Sequence, residues 1–246
     1  MEASRDRTYE VPLHNRILRR IARPIFRTLF HVLGNVVITG KQNIPGEEAC
    51  IIAINHISIF EPPLVLAFWP KAPEAAGAVD LWSRRGISFL ATIYGGIPVH
   101  RGQYDRQLMN TLLSVLSSGR SLVIAPEGGR SHTPGMQRAL PGVAYLADQA
   151  GTRIIPVGIF GSTEDFLELA LKRKRPTIGM NIGKPFTLPA LEGQGMTRRK
   201  ARQHNADLVM LEIAALLPFE YHGVYNKGIP EDVTNQTTAP DLQFGN

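Results

Sequence analysis

The chain has 246 residues, 43% of them hydrophobic and 20% charged, proportions that suit one globular domain and exclude both a disordered chain and a polytopic membrane protein. Lysine and arginine outnumber aspartate and glutamate by 27 to 21, a net charge of +6, so an anionic partner is expected: nucleic acid, an anionic membrane or a phosphate-bearing substrate. A single cysteine, Cys50, excludes an intramolecular disulfide and a cysteine-based zinc site, and its setting in Ala49-Cys-Ile-Ile-Ala53 marks a buried structural thiol.

The first predicted element is an arm over residues 1–33. Ile17, Ile21, Ile25 and Leu29 recur every four residues, while Arg16, Arg19, Arg20, Arg23 and Arg27 fill the positions between them. That is a basic amphipathic pattern, broken by Pro24 into two short helices. Two placements follow from it. In one the arm lies in a headgroup layer with its apolar stripe down, each arginine adding about 1 kcal/mol near an anionic leaflet. In the other it packs on the domain, with the stripe as core and the arginines as a solvated face. No helix-turn-helix pattern or aromatic-studded basic sheet accompanies the arm, so a nucleic-acid partner is not expected. No apolar run is long enough to span a bilayer and no cleavable leader is evident, which predicts a peripheral protein on the cytoplasmic face of a membrane.

Beyond the arm, short apolar runs alternate with segments of helical period. Strands are predicted at 36–38, 50–54, 77–79, 96–99, 122–125, 154–159 and 178–182. Helices are predicted at 62–68, 82–94, 103–116 and 142–150, then one opened by Ser162 with Asp165 three residues on, and a last one over 197–217. Such alternation predicts an α/β fold: a single domain over 34–220 with a largely parallel or mixed central sheet flanked by helices, preceded by the helical arm. From Tyr221 the chain is rich in Gly, Pro, Asn and Thr, so 221–246 is expected to be an irregular tail.

Three motifs fall at predicted strand ends, where open α/β sheets place their sites. His56 directly follows an apolar strand in Asn55-His-Ile-Ser-Ile-Phe-Glu61, before Pro62-Pro63. Five residues apart in one helix, His56 and Glu61 would point away from each other, but a loop can fold them together. An imidazole can take a proton from a hydroxyl near neutral pH while a carboxylate on its other nitrogen fixes the tautomer. Gly95-Gly-Ile-Pro-Val-His-Arg101 offers a guanidinium suited to phosphate. Ala125-Pro-Glu-Gly-Gly-Arg-Ser131 adds two glycines that let a ligand approach the backbone, with Glu127 and Arg130. The bland alternatives are a hydrogen-bonded structural histidine, a surface Arg101 and a local Glu127–Arg130 ion pair. Ser58 and Ser131 lack a Gly-x-Ser-x-Gly elbow, which argues against a serine hydrolase. Neither His100 nor His132 has metal-ligand spacing to another histidine. The run Lys172-Arg-Lys-Arg175 is read as a solvated face.

In order, these segments resemble the glycerolipid acyltransferase family typified by 1-acylglycerol-3-phosphate acyltransferases: His-x4-Asp, Gly-x-Ile-x-Val-x-Arg, Phe-Pro-Glu-Gly-Thr-Arg-Ser, then an apolar strand with a central proline. The resemblance spans Asn55 to about Gly161 and reaches weakly to Ile182-Gly-Lys-Pro-Phe186. It implies a glycerol-3-phosphate acyltransferase-like fold. It also implies that His56, assisted by Glu61, deprotonates a lysophospholipid hydroxyl for attack on an acyl thioester of coenzyme A or acyl carrier protein. Arg101, Glu127, Gly128 and Arg130 would bind the phosphate-bearing acceptor, and Pro156 would mark the fourth motif. No metal or cofactor is implied. Two residues depart from the pattern. Glu61 replaces Asp, adding a methylene, and Gly129 replaces Thr, removing a hydroxyl and leaving the acceptor open between lysophosphatidate and another lysolipid or polar lipid. A thioesterase or lipid hydrolase is the enzymatic rival, and a phospholipid-binding protein the non-enzymatic one.

Overall fold

Seven strands form one sheet in this computed structural model, which describes residues 9–83, 86–100, 105–131, 133–191 and 195–230. In chain order they are β1 (Asn35–Thr39), β2 (Ile51–Ile54), β3 (Glu74–Ala78), β4 (Ile97–Val99), β5 (Leu122–Ile124), β6 (Ile154–Phe160) and β7 (Thr177–Ile182). Their order across the sheet is β1-β7-β6-β2-β5-β3-β4. Every pairing is parallel except β6 with β7. Central β2 lies between β5 and β6 and is buried at every position, as a continuous Ile-Ile-Ala-Ile run demands of a strand covered on both faces.

Among the described residues the α-helices are α1 (Leu13–Leu33), α2 (Glu61–Phe68), α3 (Ile87–Tyr94), α4 (Arg106–Ser117), α5 (Gly142–Ala150), α6 (Phe166–Leu171) and α7 (Arg198–Ala214). Alternate residues of β2 face opposite sides. Ile51 and Ala53 join a core with Val115 of α4, Leu146 of α5 and Val209 of α7. Ile52 and Ile54 join a second core with Phe30 of α1, Leu64 of α2 and Phe166 of α6. The carboxyl ends of β2, β5 and β6 consequently meet at one edge between the two helical layers.

The arm differs from its predicted form in two respects. It is one helix, with Pro24 inside it. Pro24 and Arg20 are both exposed, so water can satisfy the Arg20 carbonyl that the proline leaves without an amide donor. The packed arrangement is also inverted. Leu13, Ile17, Ile21, Ile25 and Val32 are each more than half exposed, while Asn15, Arg19 and Phe30 are buried. Arginines, with Asn15 on the carbonyls of Thr92 and Ile93 and Phe30 in the core, dock this helix, and the aliphatic stripe does not. Arg19 makes two bonds to the fully buried Glu74, at 2.8 and 2.6 Å, and its guanidinium stacks on Tyr94. Arg23 bonds the carbonyls of Leu66, Trp69 and Pro70, and Arg27 that of Ala67, which satisfies carbonyls left open at the end of α2.

Smaller differences follow from local chemistry. The helix predicted from Trp82 begins at Ile87, after a 3-10 turn over Val79–Ser83. Asp165, not Ser162, occupies the N-cap position of α6, because the Ser162 hydroxyl is engaged elsewhere, as described below. The tail begins with two 3-10 turns that bury Tyr221 and Tyr225.

Candidate active site

His56 stands two residues beyond β2, in a non-helical segment that ends where α2 begins at Glu61. The turn brings His56 Nδ1 to 2.7 Å from Glu61 Oε2. Glu61 is fully buried, and its carboxylate also accepts the backbone N–H of Ile57 and Ser58, at 2.9 to 3.0 Å, and the Ser162 hydroxyl at 2.7 Å. Its place in the first turn of α2 puts the charge at the positive end of the helix dipole. The additional methylene relative to aspartate is thus absorbed by a carboxylate that reaches back over residues 57 and 58. Bonded to a carboxylate, Nδ1 carries the proton, and Nε2 keeps the lone pair of a base. The His56 side chain retains 15% exposure.

Neighbouring strands hold the backbone on which this dyad sits. Asn55, fully buried, clamps β2 to β6 through both backbone groups of Ile159, at 2.9 and 2.7 Å. From β5 the loop 125–131 grips His56 on both sides. Glu127 accepts the His56 N–H at 2.8 Å, and the Ser131 N–H donates to the His56 carbonyl at 2.8 Å. The second Glu127 oxygen accepts the Gln137 N–H at 2.7 Å. Glu127 therefore spends both oxygens on backbone rather than pairing with Arg130. Burial, together with the nearby Glu61 charge, pushes its pKa up to about 7 against the pull of those two amides.

Other predicted residues fall into place around this centre. Gly128 has φ of +69°, a left-handed backbone conformation that favours glycine in this loop, and a Cβ there would come within 2.4 Å of the exposed Leu140 side chain. Arg130 is half-buried and has no carboxylate partner among the described residues. Pro156 is buried in the ladder opposite Ala53 of β2, with its carbonyl accepting the Gly183 N–H. It sits where β7 leaves the ladder for its turn, which tolerates a residue without an N–H. Arg101 and His132 lie outside the described residues. The Ser58 and Ser131 hydroxyls are buried and engaged with backbone groups of Phe60 and Gly135. Ser162 and Asn55 were not singled out as site residues from sequence. A lone serine after a strand reads as a helix cap, and only the fold brings it to Glu61.

A family model for acyltransferases matches residues 35–160, a span that contains all four motifs. The chain is 24% identical over 135 residues to a 1-acyl-sn-glycerol-3-phosphate acyltransferase of Borreliella burgdorferi. The match covers 54% of this chain and 54% of that relative, so the chain spans about half the length of the curated relative it matches. Its fold is similar to the crystal structure of the 1-acyl-sn-glycerophosphate acyltransferase PlsC from Thermotoga maritima, with a TM-score of 0.60 over 82% of this chain and 80% of that one, at 19% identity.

Proposed function

This chain belongs to the acyltransferase family, and from that premise we propose that it moves a fatty acyl group from an acyl thioester to the hydroxyl of a lysophospholipid. The acceptor we propose is 1-acylglycerol-3-phosphate, which gives phosphatidic acid, and the donor is carried by coenzyme A or acyl carrier protein. The 2.7 Å bond between His56 Nδ1 and the buried Glu61 carboxylate carries this proposal. It leaves Nε2 as the base and Glu61 as the group that stabilises the imidazolium.

In the proposed reaction the acceptor hydroxyl gives its proton to His56 Nε2 as its oxygen attacks the thioester carbonyl carbon. The tetrahedral intermediate collapses with cleavage of the carbon–sulfur bond, and the leaving thiolate takes the proton from the imidazolium. No covalent enzyme intermediate, metal or cofactor enters these steps. Arg130, with Arg101, would meet the acceptor phosphate as a charge-assisted donor. Glu127 acts on His56 through the backbone, accepting its N–H, and each of its oxygens keeps a second lone pair for the acceptor. At Gly129 the missing hydroxyl removes a contact to the acceptor that the family pattern offers, so acceptors other than lysophosphatidate stay open. We place the protein on the cytoplasmic face of an anionic membrane, supported by the outward aliphatic stripe of α1 and its flanking arginines.

Purified protein given a thioester and 1-acylglycerol-3-phosphate is expected to release thiol only as acceptor is consumed. Thiol release at the same rate without acceptor would instead mark a thioesterase.

A further inference from the structure

A second concentration of positive charge lies at the other end of the sheet from His56. Glu74 opens β3 and Arg120 precedes β5, whereas His56 and Glu127 follow the carboxyl ends of β2 and β5. A cavity of about 210 Å³ at that end is lined by Arg16, Arg19, Arg20, Arg23, Arg120 and Ala72. Glu74, the carboxylate beside it, is fully buried and fully engaged. It accepts from Arg19 Nη1 and Nη2, from Arg120 Nε at 2.7 Å and from the Tyr9 hydroxyl at 3.0 Å. Among the described residues that meet at this cavity, one buried negative charge is thus set against five guanidiniums. Arg16 and Arg20 have no carboxylate partner among the described residues and are exposed. Burial, and then Arg27 and Arg19 as like charges, lower the Arg23 pKa.

Position on the helix says what this charge faces. At about 100° per residue, Arg16, Arg20 and Arg23 fall on a flank of α1 between its docked face, at Asn15, Arg19 and Phe30, and its outward stripe, at Leu13, Ile17, Ile21 and Ile25. Protein, guanidinium and hydrocarbon succeed one another around the helix. That order matches the layers met by a helix lying in a bilayer interface, where lipid phosphates sit above the acyl chains. Arg19 and Arg120 are already fixed by Glu74, so part of the wall is organised before any ligand arrives. Guanidinium forks match the oxygens of a phosphate in pairs.

We propose that this cavity is a binding site for the phosphate of an anionic phospholipid headgroup, separate from the acceptor site at His56, with the lipid chains running along the apolar stripe of α1. The site rests on the membrane-surface role proposed for the arm, and it turns a diffuse attraction into a saturable one.

The test is calorimetric titration of the full chain with dihexanoyl phosphatidylglycerol below its micelle concentration, beside cosedimentation with phosphatidylglycerol–phosphatidylcholine vesicles. Diffuse attraction needs a charged surface, whereas a cavity binds the monomer. R16Q/R20Q is expected to weaken monomer binding by about 10-fold or more. R199Q/K200Q, an equal charge change on the exposed start of α7 across the sheet, should leave it unchanged. Monomer binding that is absent, or that R16Q/R20Q weakens no more than R199Q/K200Q, overturns the site. If the unaltered protein still sediments with vesicles in that case, the membrane role of the arm stands without the site. If it fails to sediment even at low salt, both fall.

Discussion

Four donors converge on the fully buried Glu61 carboxylate: the His56 ring, the backbone amides of Ile57 and Ser58, and the Ser162 hydroxyl. Replacing Glu61 by Gln turns one acceptor oxygen into a donor that must face an N–H, while the imidazolium loses its counter-charge. E61Q is therefore expected to lower kcat by about a thousandfold with KM little changed, in a protein whose circular dichroism matches the parent. Glu127 makes a different prediction, because its carboxyl pKa lies near 7 in the fold against an ordinary value of 4.5. A raised folded-state value means that the folded protein holds the proton more tightly than the unfolded chain. Its contribution is complete below about pH 4.5 and is lost as pH rises through about 7, on the order of 3 kcal/mol in all. Urea unfolding across pH 4–9 should show E127Q free of that decline. A parallel pH dependence in parent and variant would remove Glu127 as its source.

At the scale of elements, the arm and the dyad are mechanically linked through α2. Glu61 opens this helix, and Arg23 and Arg27 of α1 hold carbonyls at its other end. Glu74 anchors α1 in turn, with burial opposing its charge and Arg19 and Arg120 outweighing that opposition to hold its pKa low. Removing one partner leaves buried charge unpaired, so E74A should cost about 3–5 kcal/mol of unfolding free energy, whereas an exposed substitution such as K172A should cost less than about 1 kcal/mol. This link also means that deleting the arm would strip Glu74 of Arg19, so membrane binding is better tested by point substitutions. Strand periods, the apolar β2 run and the His56–Glu61 loop were legible in the sequence because they are local: a burial pattern, a strand end, a proline. Glu74 and Ser162 were not legible, because each acquires its meaning from a partner at least 46 residues away. The same holds for the face of α1. Amphipathicity shows that two faces differ but not which one docks, and here a buried carboxylate reversed the usual choice by drawing the arginines inward.

For the whole molecule, two charged ends of one sheet are set beside a single aliphatic stripe. Five large aliphatic side chains more than half exposed along one helix form a patch that a soluble monomer rarely shows. Substituting Ile17, Ile21 and Ile25 together by Ser should leave the melting temperature nearly unchanged, since none is buried, and should weaken vesicle partitioning by about 100-fold or more at 25 cal/mol per Å² of apolar area. An unaltered partition coefficient would return the stripe to an ordinary solvent face. The central claim is that His56 moves the acceptor proton in an acyl transfer, and one measurement tests it most directly: the rate of acyl transfer from a thioester to 1-acylglycerol-3-phosphate by the parent and by His56→Ala, with folding checked in both. Acceptor-dependent transfer by the parent and none above background by the variant is the predicted result, and near-normal transfer by a folded variant would contradict it.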